Sequence, residues 1–122
     1  MPVAMKENVL KSKSYLFAIR IVKLSQYLQQ SKKEFVLSKQ ILRSGTAIGA
    51  LIREAEYGQS KLDFTHKLSI ALKEANETEY WICILNDTGY IDIKEFESIS
   101  ADCKELLKLL IASIKTTKER NK

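Results

Sequence analysis

Between Ser44 and Ile52 the chain carries no charge and places two glycines, Gly45 and Gly49, four residues apart in "RSGTAIGALIREA". No other segment narrows the possible folds as much. Ile41, Gly45, Ile48, Ile52 and Ala55 recur at helical spacing and define one core face. On the other side, Thr46, Ala47 and Ala50 are small and uncharged. A helix that is apolar all round has to be covered on both sides. Each glycine costs about 1 kcal/mol relative to alanine in a helix interior. Close approach of a second helix is the usual compensation. Gly45 and Gly49 are therefore expected to be helix-packing positions that face a neighbouring backbone. Spaced glycines also build phosphate-cradling loops, but here no Gly-Lys-Ser/Thr follows, no strand precedes and the run holds no lysine.

The remainder of the chain supplies helices for it to pack against. Pro2 is the only proline, and four glycines are spread over 122 residues, so few breakers interrupt long helices. The first helix is expected from about Asn8 to Ser31, with a stripe of Leu10, Phe17, Ile21, Leu24 and Leu28. The second starts at Ser38 as N-cap and ends at Gly58 as the C′ residue. The third follows Ser60, with Asp63 three residues on in a capping-box-like arrangement, and its stripe is Phe64, Leu68, Ala71, Ala75, Thr78, Ile82 and Leu85. "NDTGYI" forms a turn centred on Gly89. Asp92 caps the fourth helix, with Glu95 three residues later and a stripe of Phe96, Ile99, Cys103, Leu107, Leu110 and Ile114. Very short links make successive helices antiparallel. The expected fold is all-α, an up-down-up-down antiparallel four-helix bundle. It forms one domain over residues 1–122, with basic, frayed ends at 1–7 and 117–122.

Each helix in such a bundle buries one stripe, yet three carry a second. Tyr15, Ile19 and Val22 lie opposite the core stripe of the first helix, and Ala47 and Ala50 lie on the back of the second. Ile70, Trp81 and Ile84 lie off the core stripe of the third. A monomer would leave these as large apolar patches, and self-association is the simplest cover. Because the stripes belong to different faces, a head-to-tail contact that closes into a ring suits them better than a two-fold dimer. Trp81 is the expected anchor.

Catalytic signatures are absent. His66 is the only histidine, so no multi-histidine metal site is possible, and neither cysteine lies at ligand spacing from it. Cys83 and Cys103 sit among apolar residues without CxxC spacing and read as buried free thiols of a reducing cytoplasm. Glu74, Glu77 and Glu79 lack the two-helix ExxH pattern of di-iron bundles. No catalytic residue, metal site or cofactor is expected, and no uncharged run approaches the ~20 residues of a membrane span.

Charge is more informative. The net charge is +5. Met1 to Arg43 holds nine basic against two acidic residues, Ser44 to Glu105 six against twelve, and Leu106 to Lys122 five against one. In an up-down-up-down bundle the two basic ends meet. Lys6, Lys11 and Lys13 would then join Lys115, Lys118, Arg120 and Lys122 in a positive collar suited to phosphates. Glu77, Glu79, Asp87, Asp92, Glu95 and Glu97 would gather at the other end.

"LSKQILRSGTAIGALIREAE" followed by "SKLDFTHKLSIALKEANETEYWICIL" closely resembles the four-helix-bundle proteins encoded in bacterial 23S rRNA intervening sequences, most strongly from Leu37 to Leu85. The resemblance implies a compact bundle assembled as a ring-like homopentamer, with no known enzymatic activity. It also implies kinship with the accessory protein of diversity-generating retroelements, which has a basic surface and partners that include nucleic acid and a reverse transcriptase. Leu51 and Arg53 depart from the family, where many members carry an Asn and a small residue. Two functions follow as expectations. The first is a cytoplasmic, non-enzymatic homo-oligomer that binds structured RNA or DNA through its basic surface. The second is a scaffold or accessory subunit that docks a partner protein, such as a reverse transcriptase, on its acidic end.

Overall fold

The computed structural model describes residues 2–120, with side chains from residue 9 onward. Four helices follow one another: α1 (Pro2–Ser31), α2 (Leu37–Glu56), α3 (Lys61–Asp87) and α4 (Ile93–Arg120). No strand occurs among the described residues. α1 packs on α2, α2 on α3, α3 on α4, and α4 returns to α1, and among the described residues no diagonal pair of helices brings its Cα atoms within 8 Å. This is the antiparallel four-helix bundle that the stripes and short links predict. α1 starts at Pro2, earlier than the expected Asn8, because nothing between Pro2 and Asn8 breaks a helix and proline suits a first turn.

The core is the set of stripes with one rotation. Leu10, Phe17, Ile21, Leu24 and Leu28 of α1, and Ile41, Ile48, Ile52 and Ala55 of α2, are buried. Leu68, Ala71, Ala75, Thr78, Ile82 and Leu85 of α3 are buried too, while Phe64 is half-buried at the edge. On α4 the buried line is Ile99, Cys103, Leu106 and Leu110, continued by Ser113. Leu107, Ile114 and Phe96, expected on that line, are half-buried flanks instead. Adjacent leucines at 106 and 107 make both registers apolar, and only packing against α1 selects between them.

Two expected helix ends are built differently. Ser38 is not the N-cap of α2; it lies within the first turn, where its hydroxyl donates to the Glu34 carbonyl at 2.9 Å. The Glu34 carboxylate does the capping, accepting the N–H of Ser38 at 2.8 Å and of Val36 at 3.3 Å. Burial raises the Glu34 pKa, but hydrogen bonds from backbone N–H groups, that of Ser38 foremost, outweigh it and hold the carboxyl below the usual carboxylate value. Gly58 is not a left-handed C′ residue, since Gly89 is the only glycine with positive φ. A side chain at Gly58 would meet the Ala55 carbonyl at 3.1 Å and the Phe64 N–H at 3.3 Å. Glycine there lets the start of α3 fold back tightly against the end of α2.

The other two ends match their signals. Ser60 accepts the Asp63 N–H at 3.0 Å and Asp92 accepts the Glu95 N–H at 2.8 Å. Gly89, at φ 81°, closes α3 in a Schellman motif, with the Tyr90 N–H on the Leu85 carbonyl at 2.9 Å and the Gly89 N–H on that of Asn86 at 3.1 Å.

Candidate nucleic-acid interface and the α1–α2 groove

The two glycines of α2 set how closely α1 approaches. A Cβ at Gly49 would stand 3.3 Å from the Ser14 carbonyl oxygen, so α1 backbone lies directly against that position. At Gly45 the neighbour is a side chain and not backbone: a Cβ would stand 2.7 Å and 2.8 Å from the two γ carbons of Ile21. Beside this contact Ser44 and Thr78 exchange a buried hydroxyl hydrogen bond of 2.9 Å between α2 and α3. α2 is thereby held close to both neighbours.

The uncharged back of α2 is open. Thr46, Gly49, Ala50 and Arg53 form one wall of a groove of about 590 Å³, and Lys11, Tyr15, Leu16 and Ala18 of α1 form the other. Among the expected interface residues, the groove unites Tyr15, which is 62% exposed, with Ala50. Ile19 and Val22 are exposed on α1 without lining it, and Ala47 is half-buried. Leu16, also 62% exposed, and Arg53 were missed by the stripe reading; they follow from the rows next to Tyr15 and Ala50 on each helix.

Ile70, Trp81 and Ile84 lie on α3, away from this groove, and all are half-buried. The Trp81 ring packs on the protein's own core, and its Nε1–H donates to Glu77 Oε2 at 2.9 Å. Glu77 also pairs with Arg43, which reaches Glu74 at 3.1 Å. The hydrogen bond from Trp81, then the one from Arg43, hold the Glu77 carboxyl below its usual pKa, and its pairing with Glu77 raises that of Arg43.

The basic ends are unequal. Lys11 pairs with Glu56 at 2.9 Å and Lys13 with Glu105 at 3.0 Å. No ion pair forms at Lys115, Lys118 or Arg120 among the described residues. Lys115 and Lys118 rim a shallow groove over Leu72, Ile111 and Ile114, while Arg120 lines a recess with Lys61 and Thr117. The side chain of Lys6, and all of Lys122, lie outside the described residues. At the opposite end, Arg20 spans the α1–α4 seam to Asp102 at 2.8 Å, Glu95 at 3.4 Å and the Ser98 hydroxyl at 2.8 Å.

Neither thiol is arranged as a nucleophile. Burial first, then the charge of Glu79, pushes the Cys103 pKa up to about 12, and its Sγ–H donates to the Ala75 carbonyl at 3.3 Å. Cys83 is half-buried and His66 exposed. No group of three metal-ligating side chains occurs among the described residues. No described helix is long and apolar enough to cross a membrane.

The described residues form an antiparallel bundle of four helices, with an open apolar groove between α1 and α2 and basic residues without ion-pair partners at the end of α4. The chain belongs to the 23S rRNA-intervening sequence protein family, whose sequence profile matches residues 6–112. A crystal structure of a protein of unknown function from the S23 ribosomal protein family of Bacteroides thetaiotaomicron is 61% identical. It superposes with a TM-score of 0.89 over 90% of this chain and 98% of that one. A comparison with curated proteins found no match.

Proposed function

We propose that the protein is a non-enzymatic, self-associating bundle that binds structured RNA or DNA through its basic surface. The observation that carries this reading is the charge imbalance at the end of α4. Lys115, Lys118 and Arg120 are exposed, and among the described residues none meets a carboxylate, whereas Lys11 and Lys13 are engaged by Glu56 and Glu105. The binding end is therefore weighted toward α4. Self-association is supported by the open α1–α2 groove, whose apolar walls a second copy would cover, as in the ring that the family resemblance implies.

The test is binding of a structured RNA hairpin and a DNA duplex at several salt concentrations, with wild type and a Lys115→Gln/Lys118→Gln/Arg120→Gln variant. Wild-type affinity should fall steeply with salt, and the variant should lose about 0.9 of the log–log slope for each phosphate contact removed from a duplex. Absence of binding at low salt, or binding indifferent to salt, would overturn the proposal. Docking of a partner protein on the acidic end is less supported, because Glu77 and Glu95 are committed to Arg43 and Arg20.

A further inference from the structure

Most charges of α4 are sorted by side, the exceptions being Glu97, one heptad before Lys104, and Glu119, which lines the same groove as Lys115 and Lys118. Glu95, Asp102 and Glu105 face α1, where Arg20 and Lys13 engage them. Lys104, Lys108, Lys115 and Lys118 follow at steps of four, seven and three residues, which keeps them on the opposite flank, toward α3. Ile111 continues the same row. All four lysines are exposed, and none has an ion-pair partner among the described residues. The acids of α3 and α4 nearest this flank, Glu79, Glu97 and Glu119, form no ion pair either among those residues. The lower two lysines rise from the apolar floor of Leu72, Ile111 and Ile114, which supports their alkyl stems and leaves the ammonium groups in water.

From these observations we infer that the α3-side flank of α4, over its whole length from Lys104 to Lys118, is a docking surface for the phosphodiester backbone of a nucleic-acid duplex. The inference rests on the nucleic-acid reading above. It moves the contact from a collar at one end of the bundle to a stripe along one helix. Fourteen residues of helix span about 21 Å. A duplex carries one charge per about 1.7 Å of axis, so that length of duplex holds roughly a dozen phosphates round its circumference, and the ones on the facing side meet the four lysines. A single strand is a poorer occupant, because it is held by aromatic side chains on which bases stack, and no aromatic interrupts this row of lysines. A flank without base-reading side chains such as Asn, Gln or Arg favours backbone contact without sequence preference.

The test is the salt dependence of binding to a duplex RNA, a duplex DNA and a single strand of equal length. It compares wild type with Lys104→Gln/Lys108→Gln and with Lys11→Gln/Lys13→Gln. The Lys104/Lys108 variant should keep the wild-type circular dichroism and melting temperature, since both side chains are exposed, and lower the duplex slope by about 1.8. The Lys11/Lys13 variant should leave the slope unchanged. If wild type binds and the Lys104/Lys108 variant binds identically, or the single strand is preferred, the stripe is refuted while the broader nucleic-acid reading stands. If wild type binds neither duplex at 50 mM salt, both fall.

Discussion

Gly45→Ala should destabilise the bundle, although alanine is the better helix former. Replacing a helix-interior glycine by alanine contributes about 1 kcal/mol in favour of the variant. Against it, the new methyl would stand 2.7 Å and 2.8 Å from the Ile21 γ carbons and 3.2 Å from its Cβ. Ile21 is fully buried, and a β-branched side chain in a helix has essentially one rotamer. It cannot swing aside, so α1 and α2 must separate. Overpacking of this kind costs about 1–3 kcal/mol, giving a net loss of up to about 2 kcal/mol from the two opposing contributions. The mechanism is isolated by a double-mutant cycle. Ile21→Ala alone should cost about 2–5 kcal/mol, but it removes both γ carbons. In that background only the Cβ contact at 3.2 Å remains, so Gly45→Ala should lose most of its cost and approach the gain of up to about 1 kcal/mol expected of alanine. Urea unfolding followed by circular dichroism, at one protein concentration and with unchanged m-value, reads all four corners of the cycle. A stabilising single mutant, or additive effects of the two substitutions, would refute the account.

Gly49→Leu should destabilise by roughly 1–3 kcal/mol, because the first atom of the side chain already meets the Ser14 carbonyl at 3.3 Å; an unchanged melting temperature counts against it. The depressed Glu34 pKa makes its contribution to stability fully present above the unfolded carboxyl pKa and lost as pH falls through the lower folded value. Glu34→Gln should therefore be less stable than wild type at neutral pH and differ less from it in acid, and a constant difference across a pH series of urea melts would oppose this. Tyr15→Glu places a charge on an exposed wall of the α1–α2 groove and should shift assembled protein toward monomer in light scattering. A wild type already monomeric at micromolar concentration, or an assembly that tolerates the change, would exclude this groove as the self-association face.

Periodicity determined much of this protein by itself. Four stripes separated by short links admit little except an antiparallel bundle, and Ser60, Asp92 and Gly89 mark their helix ends because each satisfies backbone groups within a few residues. Family membership was also legible, in the run from Leu37 to Leu85. What lay beyond the sequence involved groups brought together across helices. Leu106 and Leu107 are equally apolar, so the rotation of α4 is chosen by contact with α1. Glu34 is a local exception: from the link between α1 and α2 it caps backbone N–H groups only two and four residues on, which the serine at 38 obscured. The predicted collar counted lysines on a chain, but charge acts through distance: Glu56 and Glu105 come within 3.0 Å of Lys11 and Lys13 only once the helices pack. The same packing pairs Glu95, Asp102 and Glu105 of α4 with α1 and leaves the lysines of its other flank facing water. Local pattern decides which residues are helical and apolar; only tertiary proximity decides which charges remain free to bind.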